Sequence, residues 1–228
     1  MGIIPTIDGS DMVVREGLIG RWMGGVGGTP ALGTVLDFSG RGTHGTLFGD
    51  AFVNRDGFQL DGDGDRVDFI NNGALSIGTL DYTVSAWIKT SYKTDYAAIL
   101  NAHLFGEVWQ PIYMQQTTGL MRMQLGHVFG SPVGGSDIAD GILKHVAISV
   151  DRASDATFFI DGAQDGGPLD VSASCDIDII PSKLFFGFFY NRPSRSYNGS
   201  IDDVRIYNRA LSAAEVRAIY DNTKWRHQ

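Results

Sequence analysis

The feature that most constrains this chain lies near its end, in residues 199–222, GSIDDVRIYNRALSAAEVRAIYDN. Its first half reads as a half-buried strand: Val204 and Ile206 alternate with Arg205 and Tyr207, the period of two that puts successive side chains on opposite faces. Its second half reads as a short helix. Ser212-Ala213-Ala214-Glu215 is a capping box, in which the serine hydroxyl accepts a free first-turn amide and Glu215 reaches back to the Ser212 amide. Val216, Ile219 and Tyr220 follow at helical spacing and form one apolar stripe, which must dock on something larger than the helix. Asn222 stands where a helix commonly stops.

The rest of the chain supplies strands for that helix to dock on. Tyr82 to Lys89 alternates with apolar character on both faces, which predicts a central strand. Leu143 to Asp151, with Val146, Ile148 and Val150 inward, is expected to pair with Ala156 to Gly162. Further strands are expected at 97–101, 112–115 and 120–125, and Leu184 to Tyr190 reads as the penultimate core strand. Asp63-Gly64 between two apolar runs is a hairpin signal. The 30 glycines among 228 residues fit many tight turns, and only 7 prolines argue against a disordered linker. Together these predict an all-β fold closed by one C-terminal helix, large enough to bury its core without disulfides.

The order of residues in 199–222 resembles the closing segment of the laminin-G-like, concanavalin A-like jelly-roll family, which reads close to G-x-I-D-[DE]-V-R-I-Y-N-R-A-L-S-x-x-E. Further segments resemble the same family: Gly17 to Trp22 its first strand, Leu36 to Leu47 its D-x-S-G-x-x-x-H-G-x-L loop, Phe58 to Asp68 its F-D-G-x-G-D-Y-V hairpin, and Tyr82 to Lys89 its [FY]-T-[VI]-S-x-W-[IV]-K strand. At 143–162 the match is looser, because Leu143 and Lys144 stand where tryptophan and histidine are usual. The resemblance implies a two-sheet antiparallel jelly-roll sandwich of about six or seven strands per sheet. It covers residues 17 to 222 and is weakest at 92–140. The organisation expected is an N-terminal arm, residues 1–16, ahead of a jelly-roll domain, residues 17–228. The arm is apolar, and Pro5 and Asp8-Gly9-Ser10 break it, so it should pair on a sheet edge or dock on another subunit.

A structural calcium is one reading the resemblance brings. Many such sandwiches hold an ion between an early loop and the last strand, and the matching carboxylates here are Asp37 and Asp202, with carbonyls of the 39–45 loop completing the shell. Read from the residues alone, Asp37 equally well caps its own turn and Asp202 binds backbone amides. An EF-hand is excluded at Asp61, Asp63 and Asp65, because Arg66 replaces the required glycine and Asn72 the closing glutamate.

Catalysis is not expected. A retaining glycosidase needs two carboxyl groups about 5–5.5 Å apart, and related-looking sandwich enzymes carry them as E-x-D-x-E. Only Glu16, Glu107 and Glu215 are glutamates, so that motif is missing. The five histidines show no metal-ligand spacing, and Cys175 sits in no nucleophile motif. Recognition is a better expectation. Tyr92, Tyr96, Trp109 and Tyr113 lie near His103, Gln110, Gln115 and Gln116, a mixture that suits the apolar faces and hydroxyl edges of sugars. The more ordinary role of such aromatics at strand ends is to fill a core or a dimer interface.

With net charge −8 and no basic stripe, nucleic acid is not an expected partner. No apolar run approaches membrane-spanning length, and the N-terminus lacks a signal-peptide pattern, so synthesis in the cytoplasm is expected. The function favoured by the arm and by that missing signal is a non-catalytic structural subunit of a larger particle, such as a phage capsid decoration or tail protein, with other subunits of an oligomer or lattice as partners. The alternative is a glycan-binding, lectin-like module.

Overall fold

A computed structural model describes residues 14–25, 33–93, 96–103, 108–125, 128–129, 134–174, 176–190 and 192–227. The strands run β1 Leu18–Trp22, β2 Thr34–Val35, β3 Gly45–Phe48, β4 Phe52–Asn54, β5 Gly57–Asp61 and β6 Arg66–Ile70. They continue with β7 Tyr82–Lys89, β8 Ala98–His103, β9 Val108–Met114, β10 Met121–Leu125, β11 Val128–Phe129 and β12 Lys144–Val150. The last are β13 Asp155–Ile160, β14 Ala163–Gln164, β15 Leu169–Asp170, β16 Lys183–Phe186 and β17 Asn198–Tyr207, followed by helix α1, Ala213–Thr223.

Among the described residues these form two antiparallel sheets. A nine-stranded sheet has the order β14-β13-β12-β7-β17-β5-β4, with β1 also paired to β17 and β15 to β13; an eight-stranded sheet has the order β11-β10-β9-β8-β16-β6-β3-β2. This is the expected jelly-roll sandwich, with more strands per sheet because short edge ladders join each one. β7 is central, as its two apolar faces require, and β12 pairs with β13 from Val146↔Ile160 to Val150↔Ala156. Between the sheets lies one core in which Trp22, Phe58, Phe69 and Phe186 meet, with Phe69 and Phe186 centroids 4.5 Å apart and Trp22 and Phe69 4.7 Å apart. Gly45 in β3 is required here, since a Cβ would stand 2.4 Å from the Phe69 ring.

The expected hairpin at Asp63-Gly64 is not one. β5 belongs to the nine-stranded sheet and β6 to the eight-stranded sheet, so residues 61–65 form a corner between sheets. Gly62 and Gly64 take φ of +87° and +83°, and the buried Asp65 carboxylate accepts the amides of Asp50 (2.9 Å) and Asp61 (3.2 Å), folding the chain over the edge. The strand expected over Leu184 to Tyr190 likewise stops at Phe186, because Gly187 at φ +78° turns the chain.

β17 and α1 follow the sequence closely. Ser212 Oγ accepts the Glu215 amide and Glu215 Oε2 accepts the Ser212 amide, so the capping box is formed. The helix lies on the outer face of the nine-stranded sheet, where Val216 and Ile219 join a second apolar cluster with Ala147, Phe159, Tyr207 and Leu211. Of the N-terminal arm, residues 1–13 lie outside the described residues. Its root packs on the same cluster, with Val14 buried and its carbonyl accepting the Tyr207 hydroxyl at 3.2 Å.

Candidate functional site

The outer face of the eight-stranded sheet carries a band of aromatic rings. Cross-strand register sets Asp68 of β6 beside Phe185 of β16, and Phe185 beside Asn101 of β8. Alternation in β16 turns Leu184 and Phe186 into the core and Phe185 away from it. Phe185 is nevertheless covered, because the turn after Gly187 folds back and lays Phe188 (5.9 Å, edge-on) and Tyr190 (5.8 Å, stacked) over it. The buried Asn101 holds that turn by accepting the Tyr190 amide at 3.1 Å. Tyr190 keeps 36% of its surface, with the His103 ring 4.3 Å away and His103 Nδ1 2.9 Å from Ser182 Oγ.

Two arginines sit among these rings. Arg66 lies 4.5 Å from the Phe48 ring and 4.9 Å from Phe188, and its Nε donates to Asp68 Oδ1 at 2.8 Å. Burial pushes the Asp68 carboxyl above its usual range, and the Arg66 charge partly offsets it. Arg195 lies between Tyr96 (5.2 Å) and Phe189 (5.1 Å). Tyr96 is in turn 6.3 Å from Tyr113, whose phenol is pushed up by burial. The band thus combines apolar ring surface, fixed cations and a carboxylate on a rigid sheet. It has the means to stack on an apolar face and to hydrogen-bond polar edges.

Of the four aromatics expected to bind ligand, the fold brings Tyr96 and Tyr113 together. Tyr92 is half exposed beyond β7, where its amide donates to Thr90 Oγ1, and it has no ring contact with the other two. Trp109 lies in β9 opposite Ala102 and Leu125, with its side chain outside the described residues. The residues that sequence reasoning missed are Phe185, Phe188, Phe189 and Tyr190. The signal was present: adjacent Phe185 and Phe186 cannot both face one core, and three more aromatics follow a glycine.

The two carboxylates expected to hold calcium occupy different settings. Asp37 accepts the amides of Arg21 (3.2 Å), Ser39 (2.8 Å) and Thr43 (3.0 Å) and the Ser39 hydroxyl (2.9 Å). These bonds make Asp37 the cap of its own turn, one of the two roles expected of it. Asp202 is buried in β17, accepts the Gly24 amide at 2.6 Å through Oδ1, and has Oδ2 unbonded, 3.8 Å from His227 Nε2. Burial, reinforced by the Asp203 charge, pushes its carboxyl up to about 7. Among the described residues, Asp50, Asp61 and Asp65 form a group whose carboxylate oxygens lie within 4.8 Å of one another; Asp65 uses both oxygens on backbone amides.

Beside β17 a buried charge cluster closes this face of the nine-stranded sheet. Arg21 and Arg205 both grip Asp203, at 2.9 Å and 2.7 Å, with all three side chains at most 2% exposed. Asp203 takes φ +39° at a bulge in which Asp202 pairs with Trp87 and Arg205 with Ser85.

Comparison with known proteins agrees with this architecture. The family described as concanavalin A-like lectin/glucanases superfamily matches residues 61–217. The chain belongs to that superfamily. Among solved structures, this superfamily member is similar to the receptor binding domain of botulinum neurotoxin D (TM-score 0.70, 17% identity, 92% of this chain and 53% of that one). It is also similar to the binding domain of Paraclostridial Mosquitocidal Protein 1 (TM-score 0.67, 18% identity, 90% and 52%). A third similar structure is Trypanosoma rangeli sialidase in complex with sialic acid (TM-score 0.67, 16% identity, 92% and 33%). The chain therefore spans about half of each toxin domain and a third of the sialidase, and these likenesses establish a shared jelly-roll fold. No curated protein matches it in sequence.

Proposed function

We propose that this jelly roll is a non-catalytic recognition module that binds sugar through the outer face of its eight-stranded sheet. The observation that carries the reading is Tyr190: a partly exposed ring, stacked on Phe185, held by Asn101 and flanked by His103. A pyranose lays its C–H face on such a ring, and its hydroxyls meet the His103 imidazole and the Arg66–Asp68 pair. Two of the structurally similar proteins are a toxin receptor binding domain and a sialidase in complex with sialic acid, in keeping with a recognition role. The fixed rings and paired charges also favour binding over turnover.

A glycan array probed with the wild-type protein, followed by titration of the best hit, tests this reading. Tyr190→Ala is expected to weaken binding by roughly tenfold or more, about 1–3 kcal/mol as for other lost ring contacts. Tyr92→Ala should leave it unchanged. A glycan that binds Tyr190→Ala as well as wild type would refute the assignment of the face, and an empty array would refute sugar recognition. The same preparations, examined by sedimentation, address the particle-subunit role expected from the arm: growth into large assemblies, lost on removing residues 1–13, would favour that role.

A further inference from the structure

The opposite face of the sandwich holds a second concavity, independent of the aromatic band. On the outer side of the nine-stranded sheet, α1 and the turn after it cover the rows bearing Trp87 and His145: Trp87 Nε1 donates to Thr223 Oγ1 at 2.9 Å, and the His227 ring lies 4.3 Å from Trp87. The cover ends there. The next row, in which Ser200 of β17 is flanked by Gln59 of β5 and Lys89 of β7, is left open. It lines a cleft of about 910 Å³, to which Arg226, His227 and the turn carrying Arg55 and Asp56 also contribute.

Three observations say what such a cleft would hold. First, its charge opposes that of the molecule: Arg55, Lys89 and Arg226 face it with Asp56 as the one lining carboxylate, in a chain of net charge −8. Asp56 lies 3.4 Å from Arg55 at the surface, whereas Lys89 has no ion-pair partner among the described residues and Arg226 rests a guanidinium nitrogen 2.8 Å from Met23 Sδ. Second, the His227 side chain, 3% exposed, lines the cleft while its Nε2 faces the buried Asp202 carboxylate, 3.8 Å from Oδ2, so that edge of the cleft is polar as well. Third, Gln59, Thr90, Asn198 and Ser200 make the lining hydrophilic, which suits a polyhydroxylated ligand and not a lipid chain.

We infer that this cleft is a binding site for an acidic sugar, its carboxylate or sulfate group seated between Lys89 and Arg226 and its hydroxyls on the Gln59–Ser200 row. Calorimetric titration of the full chain with 3′-sialyllactose, a chondroitin sulfate tetrasaccharide, lactose and sodium sulfate tests it and separates the two anionic groups. At least one acidic saccharide should bind, with lactose and inorganic sulfate roughly tenfold weaker or more, and Lys89→Gln and Arg226→Gln should each lower that affinity by about tenfold. Lys89 is exposed, so its replacement leaves the fold untouched even if Arg226→Gln loosens the C-terminal turn. Raising NaCl from about 50 to about 500 mM should weaken the acidic probe and spare lactose. Tyr190→Ala, on the other sheet, should leave the acidic probe unaffected. The inference fails if no acidic saccharide binds, if lactose binds equally, if inorganic sulfate alone binds as tightly, if Lys89→Gln binds as wild type, or if Tyr190→Ala abolishes the binding.

Discussion

Asp203 shows how a single side chain can hold a bulge in place. Its carboxyl is kept far below the usual range because the Arg205 and Arg21 charges outweigh the burial that would raise it. Removing that charge strands two buried guanidiniums. Asp203→Asn should therefore cost about 3–5 kcal/mol in urea unfolding, the loss typical of breaking a buried pair from one side. Its neighbour behaves oppositely. The Asp202 carboxyl titrates near 7 when folded against an ordinary 3.8, so its contribution is most favourable below about pH 4 and is lost as pH rises through about 7. His145 and His227, pushed down to about 3 and about 4 chiefly by burial, have the other sign: their contribution is full above 6.5 and is lost on acidification. The slopes oppose each other in the wild type. Comparison with Asp202→Asn isolates the first: relative to that variant, wild type should lose up to about 1.4 kcal/mol per pH unit between about pH 4 and 7. Parallel profiles would show that Asp202 is not protonated in the folded protein.

At the scale of elements, α1 was the most legible part of the chain and the aromatic band the least. The helix follows from local signals, a capping box and a 3.6-residue stripe, which need no knowledge of what lies beneath. Ser212→Ala should cost about 1 kcal/mol, measured by urea melting, because it removes the cap and frees Glu215 from one partner; Arg209, which holds Glu215 at 2.6 Å, softens the effect. Strands β7, β12, β13 and β17 were readable for the same reason, their period of two being local. What the local pattern did not reveal was sheet membership. The Asp63-Gly64 corner carries the residues of a hairpin, yet β5 and β6 part because their partners, β17 and β16, lie about 140 and about 115 residues further on, in different sheets. The ring band had the same fate: Tyr96 and Tyr113 meet Arg195 and Phe189 only after β8, β9 and β16 are set side by side. Asp37 and Asp202 were matched by motif, and only packing distinguishes a carboxylate filled by amides from one with a bare oxygen.

At the scale of the whole molecule, the sheets share one broad core, and its large aromatic side chains tie them together. Phe186 touches Trp22, Phe58 and Phe69, which come from three strands in both sheets. Phe186→Ala should destabilise the sandwich by about 3–5 kcal/mol, with both sheets lost in a single thermal transition; two separate transitions would show that the sheets hold together independently. The place of β17 has a consequence for how the chain is made. This strand lies between β7 and β5 and also receives β1, so three strands from the first 89 residues share a partner that begins at Asn198. On a ribosome, those strands emerge with open edges and stay unpaired on that side until Asn198 and the residues after it have been made. Closure thus waits for β17, and the interval before it is when the nascent chain has most to gain from a chaperone shielding its edges.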